Sequence, residues 1–169
     1  PRKVAMDLAE ARQPGTPPLQ PIWPAGRIVI EPGDPFAAPD RLVLLRQLRI
    51  QVQGEPRGVG ICNCLACQQR TGSVFAALAS FSAPFEVFGT ATEYVRVGDQ
   101  GAKFRFRFCP ICGTTVFHTE EGHDGSVGVA VGAFADPSFP APRVSVYDSR
   151  RHSWVQLPPG TTKFDKDPA

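Results

Sequence analysis

From Leu42 onward, apolar residues recur at every second position in short segments, and the gaps between those segments are too brief to hold a crossover helix. Leu48, Ile50 and Val52 alternate with Arg49, Gln51 and Gln53 before Gly54-Glu-Pro56 turns the chain. Phe104, Phe106 and Phe108 alternate with Arg105 and Arg107, and Tyr94–Val97, Val127–Val131 and Val144–Tyr147 add further segments. A period of two places successive side chains on opposite faces, so each segment predicts a strand with one buried and one wet face. Val74–Phe81 is apolar almost throughout and predicts a strand covered on both faces. Short gaps filled by glycine, proline, aspartate or serine permit hairpins, and the expectation is an antiparallel all-β domain over 42–165.

The first 41 residues have a different texture. Nine of the 18 prolines precede residue 41, and a segment so poor in amide donors predicts an extended arm. Within it Val4–Arg12 could form two helical turns and Gly26–Ile30 a strand. The whole chain, 169 residues with 42% hydrophobic and 20% charged, has the composition of a globular protein. No apolar run approaches the roughly 20 residues that cross a bilayer, and positions 1–20 lack the basic-then-apolar pattern of a secretory leader. The expectation is a cytoplasmic protein with no membrane partner. A net charge of +2 gives no argument for nucleic acid. Arg105 and Arg107 lie opposite the phenylalanines of their strand, whereas single-stranded nucleic acid needs both on one face; no nucleic-acid partner is expected.

Five cysteines, an odd number, disfavour a disulfide framework and favour metal or thiol chemistry. Cys62-Asn-Cys64-Leu-Ala-Cys67 is the denser group. Residues at i and i+2 of an extended segment share a face, so Cys62 and Cys64 can point together, and a turn through Leu65 and Ala66 would bring Cys67 to the same point. Three thiolates about 2.3 Å from one zinc leave a tetrahedral corner for water or substrate, the mark of a reactive site. Buried or redox-paired thiols are the alternative, but three cysteines within six residues are hard to explain as packing.

Cys109-Pro-Ile-Cys112-Gly113 is a second motif. Proline fixes the entry torsion and glycine permits positive φ after the second sulfur, a turn suited to a zinc knuckle. It supplies two ligands where a closed structural site needs four. Spacing permits one merged site of Cys64, Cys67, Cys109 and Cys112 with Cys62 spare, although the 41 residues between the pairs exceed the usual finger loop.

CNCLACQQRTGSVF (62–75), FRFCPICGTTVF (106–117), VAVGAFADP (129–137) and Trp154-Val-Gln-Leu-Pro-Pro-Gly160 occur in that order. Together they resemble the glutathione-dependent formaldehyde-activating enzyme family, which includes centromere protein V, over about Leu42–Phe164. The resemblance implies a compact complex of coiled antiparallel sheets with zinc-binding cysteine loops. By it, Cys62, Cys64 and Cys67 hold a catalytic Zn2+ beside the substrate thiol, while Cys109 and Cys112 form half of a structural zinc site. The other half in the family is an early Cys-x-Cys pair, and here Val43 and Leu45 stand at those positions. Either apolar packing replaces that zinc, or Cys109 and Cys112 recruit ligands from elsewhere, with His118 and His123 as candidates.

The resemblance further implies a carbon–sulfur lyase or synthase that joins glutathione to formaldehyde as S-hydroxymethylglutathione. The thiol's carboxylates then need donors, and Arg70 with the backbone and hydroxyl groups of Thr71, Gly72 and Ser73 could form an anion-receiving nest; an exposed turn arginine is the alternative for Arg70. Asn63 would steady the loop through its amide. Asp148–His152 reads as a rim over the zinc loop, a subunit contact of a homodimer, or a solvated loop. An enzyme of this class is the expectation, and a zinc-stabilised β binding module, as centromere protein V suggests, is its alternative.

Overall fold

The computed structural model describes the backbone of residues 41–42 and residues 48–168. The arm before Arg41, with the expected Val4–Arg12 helix and Gly26–Ile30 strand, lies outside the described residues, as do Val43 and Leu45. In chain order the described strands are β1 (Arg41–Leu42), β2 (Leu48–Val52), β3 (Gly58–Cys62), β4 (Ala76–Ser82), β5 (Phe85–Gly89) and β6 (Thr92–Val97). They continue with β7 (Lys103–Phe108), β8 (Thr115–Glu120), β9 (Ser126–Ala130), β10 (Val144–Val146) and β11 (Thr162–Phe164). A single α-helix among the described residues, α1 (Leu65–Thr71), follows β3. The protein is all-β, as its sequence predicts.

The strands form two sheets, one ordered β1-β2-β5 and one of eight strands ordered β11-β10-β3-β4-β9-β8-β7-β6. Leu48, Ile50 and Val52 of β2 are fully buried while Arg49 and Gln51 are half-buried. The apolar face of β2 packs on Val59, Ala79, Phe81, Val116, Val127 and Val129 of the large sheet. Truncating a buried aromatic such as Phe81 to alanine typically costs about 3–5 kcal/mol, from lost transfer energy and the cavity left behind.

β4 is covered on both faces, which explains its unbroken apolar run. Ala79 and Phe81 face the core beneath β2, while Ala76 and Leu78 pack with Cys64, Cys67 and Tyr147. The cysteine loop therefore lies on the face of the large sheet opposite the core. β6 behaves differently from the expected half-buried strand: Tyr94, Val95 and Val97 are exposed, because β6 is the sheet's edge.

Two strand pairs depart from the antiparallel expectation. β10 runs parallel to β3, with Val144 opposite Gly60 and Val146 opposite Cys62, and parallel to β11. Hairpin gaps force antiparallel pairing only between sequence neighbours. Residues 63–143 separate β3 from β10, and 147–161 separate β10 from β11, lengths at which a parallel crossover closes.

Candidate metal centre

The site begins where β3 ends. Cys62 is its last residue, Asn63 leaves the sheet, and Cys64 in extended conformation (φ −62°, ψ 146°) is the N-cap of α1. The Cys67 amide donates to Cys64 Sγ at 3.3 Å, so the sulfur takes the part that a serine or aspartate oxygen plays at other helix starts. Ala66, Gln68, Gln69 and Arg70 favour the helix, and Gly72 at φ 65° ends it with its amide on the Gln68 carbonyl. The expected turn through Leu65 and Ala66 is thus the first turn of a helix.

Asn63 anchors this loop to β10. Fully buried, it donates from Nδ2 to Ser145 Oγ at 3.0 Å and to the Val146 carbonyl at 3.0 Å. Ser145 Oγ donates in turn to Asp148 Oδ1 at 2.8 Å, which also accepts from Arg151 Nε at 2.9 Å. Gln68 Nε2 reaches the Asn63 carbonyl at 2.9 Å, and Gln68 Oε1 lies 3.3 Å from His152 Nε2. The 148–152 stretch is therefore laid against α1.

The sulfurs of Cys62, Cys64 and Cys67 all lie within 4.8 Å of one another. A tetrahedral zinc with 2.3 Å bonds sets its sulfurs about 3.8 Å apart, so this triad fits such an ion with small adjustments. The protons point the same way. Contact with the Cys62 and Cys67 thiols, the Cys67 amide and Arg96 hold the Cys64 thiol well below its ordinary range. Contact with Cys64 and Cys67, then burial, pushes Cys62 up. The Cys62 thiol lowers Cys67, but Cys64 and burial leave it raised. Cys64 is thus the sulfur held toward the thiolate, the form in which a cysteine ligates a metal ion.

Two cations attend the sulfurs. Arg70 Nη2 lies 4.0 Å from Cys67 Sγ with its guanidinium 4.2 Å from the Phe106 ring centroid. Arg96 Nη1 lies 4.0 Å from Cys64 Sγ, and its guanidinium is 5.9 Å from the Phe104 centroid. Among the described residues, the buried side-chain polar atoms without a partner are Arg70 Nε and Asn63 Oδ1, both beside this loop.

The triad opens into a cleft of about 680 Å³ whose walls include Arg96, Phe104, Phe106, His118, Tyr147 and Asp167. His118 packs on the Phe104 and Phe106 rings, with centroids 5.8 and 5.2 Å away. Burial, then the charges of Arg70 and Arg96, push it down to about 4, so its imidazole is neutral at ordinary pH. Burial and Asp99 push the Tyr147 phenol up to about 12. Tyr147 sits at φ 53°, a left-handed conformation uncommon for a bulky residue.

Other expected site residues fall elsewhere. Thr71, Gly72 and Ser73 do not line the cleft. The Gly72 amide caps α1, the Ser73 amide donates to Thr71 Oγ1 at 3.2 Å, and Thr71 Oγ1 donates to the Cys67 carbonyl at 2.8 Å. Those donors are spent on ending the helix, and a helix end offers carbonyls, which repel an anion. Cys109 and Cys112 stand outside the triad, so the merged four-thiolate site is not formed. Cys109 is buried in the core beneath β2, while Cys112 is exposed, with Sγ donating to Thr114 Oγ1 at 3.3 Å. Neither His118 nor His123 joins them in a group of three ligands among the described residues; His123 pairs with Glu120 at 3.5 Å. Arg105 and Arg107 pair with Glu93 and Glu121.

Arg96, His118 and Tyr147 went unread in the sequence as cleft residues. Arg96 and His118 lie on strands far from the triad in sequence, and the pairing of Gly128 with His118 across β8 and β9, which lets the ring lie over its neighbour, exists only in the fold.

Among the described residues no helix is long and apolar enough to cross a membrane. No curated protein matches the chain significantly. A crystal structure of a Rhodobacter sphaeroides protein is similar at 21% identity, over 69% of this chain and 91% of that one, with a TM-score of 0.39. The model of the glutathione-dependent formaldehyde-activating enzyme family matches residues 44–150, a span that contains the cysteine triad, and the chain belongs to this family.

Proposed function

We propose that the protein is a zinc-dependent carbon–sulfur lyase acting as an S-(hydroxymethyl)glutathione synthase-like enzyme, which joins a glutathione-type thiol to formaldehyde or a related small aldehyde. The observation that carries this reading is the convergence of Cys62, Cys64 and Cys67 on one point at the wall of an open cleft. Family membership supports formaldehyde and glutathione as the substrate classes.

Cys62, Cys64 and Cys67 would hold Zn2+ here, and zinc so held supplies an open position that favours the thiolate form of an incoming thiol. The chain's own residues set the surroundings. Arg70 and Arg96 offset the negative charge of the cysteine sulfurs. Asn63 and Gln68 fix the loop against β10 and the 148–152 stretch. In the reaction a C–S bond forms between the thiol sulfur and the aldehyde carbon, the carbonyl π bond breaks, and the oxygen takes up a proton. His118 carries one imidazole N–H, which offers a hydrogen bond to an oxygen within the cleft. A reducing compartment such as the cytoplasm keeps the three thiols available.

Zinc content of protein purified without added metal, before and after dialysis against glutathione, tests the site. The expected result is one zinc per chain that glutathione loosens. Exchange spectroscopy of formaldehyde and glutathione should show acceleration that disappears, along with the zinc, in Cys67→Ser. Undiminished acceleration by the metal-free variant would overturn the proposal.

A further inference from the structure

The Cys109–Cys112 turn is left unused by this chemistry. Its geometry is that of a tight, closed dithiol loop: the Gly113 amide donates to the Cys109 carbonyl at 2.9 Å, and the Cys109 amide donates to the Thr114 carbonyl at 3.0 Å. That closed turn carries both cysteines, three residues apart. A structural metal needs more. The chain's other three cysteines form the triad, its three histidines lie elsewhere, and no third ligand joins this pair among the described residues. What remains is a buried cysteine and an exposed one on the same turn.

We propose that Cys109 and Cys112 form a redox-active pair that exchanges with the disulfide of a small thiol. Cys112 is the attacking sulfur, because it is exposed and its neighbour Thr114 can turn its hydroxyl to donate to a thiolate at 3.3 Å. The Cys112 thiolate attacks one sulfur of RS–SR, forming Cys112–S–S–R and releasing RS⁻. Cys109, its proton lost to solvent, then attacks the Cys112 sulfur, closing the 109–112 disulfide and releasing a second RS⁻. Both leaving thiolates take up protons. The protein dithiol is oxidised by two electrons and RSSR is reduced to two RSH. The exchange is independent of the aldehyde chemistry and reads the oxidation state of the thiol pool that would supply it.

The test uses the zinc-loaded full chain, incubated without oxygen with oxidised glutathione and then mapped by mass spectrometry. A loss of two hydrogens localised to the 109–112 peptide, reversed by reduced glutathione, is the expected result. Cys112→Ser, an exposed substitution, should lower the rate of oxidation at least tenfold. Cys109→Ala, which keeps an apolar atom in the core, should stop at a persistent glutathione adduct on Cys112. In the wild-type chain, a persistent adduct without closure, no reaction, faster oxidation of the triad, or a second zinc shielding the pair would each overturn the proposal.

Discussion

Gly128 lies directly beneath the imidazole of His118: a β-carbon built on the glycine would stand 2.1 Å from His118 Cε1 and 2.7 Å from Nε2. The two residues are register partners across β8 and β9, and the missing side chain on one strand makes room for the ring on the other. The ring cannot swing freely aside, because Phe104 and Phe106 flank it. Gly128→Ala should therefore destabilise by about 1–3 kcal/mol, the usual cost of overpacking. Urea unfolding checks this, and His118→Ala in the same chain should recover most of the loss.

The half-buried imidazole makes stability depend on pH. Its folded pKa of about 4 lies below the ordinary 6.5. A depressed histidine favours the fold fully above the unfolded value, and that contribution falls away as pH drops from about 6.5 to about 4. Its size is on the order of 3 kcal/mol. Denaturation midpoints across that window should decline more steeply for the wild-type chain than for His118→Gln. Parallel curves would show that the ring titrates normally.

Arg70 binds two neighbours at once, the Phe106 ring at 4.2 Å and Cys67 Sγ at 4.0 Å. Arg70→Met keeps the length and removes the charge. It should lower stability by about 1 kcal/mol through the lost cation–π contact. Zinc affinity should fall about 10- to 100-fold, the usual effect of losing a partner of a metal ligand. Competition against a chelator measures the affinity, and an unchanged value would leave Arg70 a packing role alone.

Asn63 is fully buried and spans from the cysteine loop to β10. Asn63→Ala removes both side-chain donations, although the Val146 carbonyl keeps the main-chain amide of residue 63 and Ser145 keeps Asp148, and should cost about 1–3 kcal/mol. Because Cys62 and Cys64 flank Asn63, the proposed zinc should also be lost at a lower temperature than unfolding. Calorimetry with a zinc-sensitive dye follows both events together.

Arg96 contacts Cys64 from 32 residues away in sequence. Arg96→Gln should weaken the same thiolate, and the pH midpoint of zinc release should move upward. A midpoint equal to that of the wild-type chain would assign the arginine to the cleft alone.

The sequence by itself determined the local things. The alternation of Leu48, Ile50 and Val52 with polar neighbours fixes which face of β2 is buried, since side chains alternate whatever the strand pairs with. The spacing of Cys62, Cys64 and Cys67 sets three sulfurs within one loop, so their convergence needs no distant contact. β4 beside them is legible from its unbroken apolar run rather than from a period of two. Only the tertiary structure decided the rest. Parallel pairing of β10 with β3 and β11 depends on long connections that leave strand direction open. The helix at Leu65 depends on a sulfur acting as its cap, and the amides of Gly72 and Ser73 are drawn into ending that helix and its following turn. Arg96, His118 and Tyr147 reach the cleft from separate elements, placed there by strand order and register, and neither is encoded by the residues nearest them.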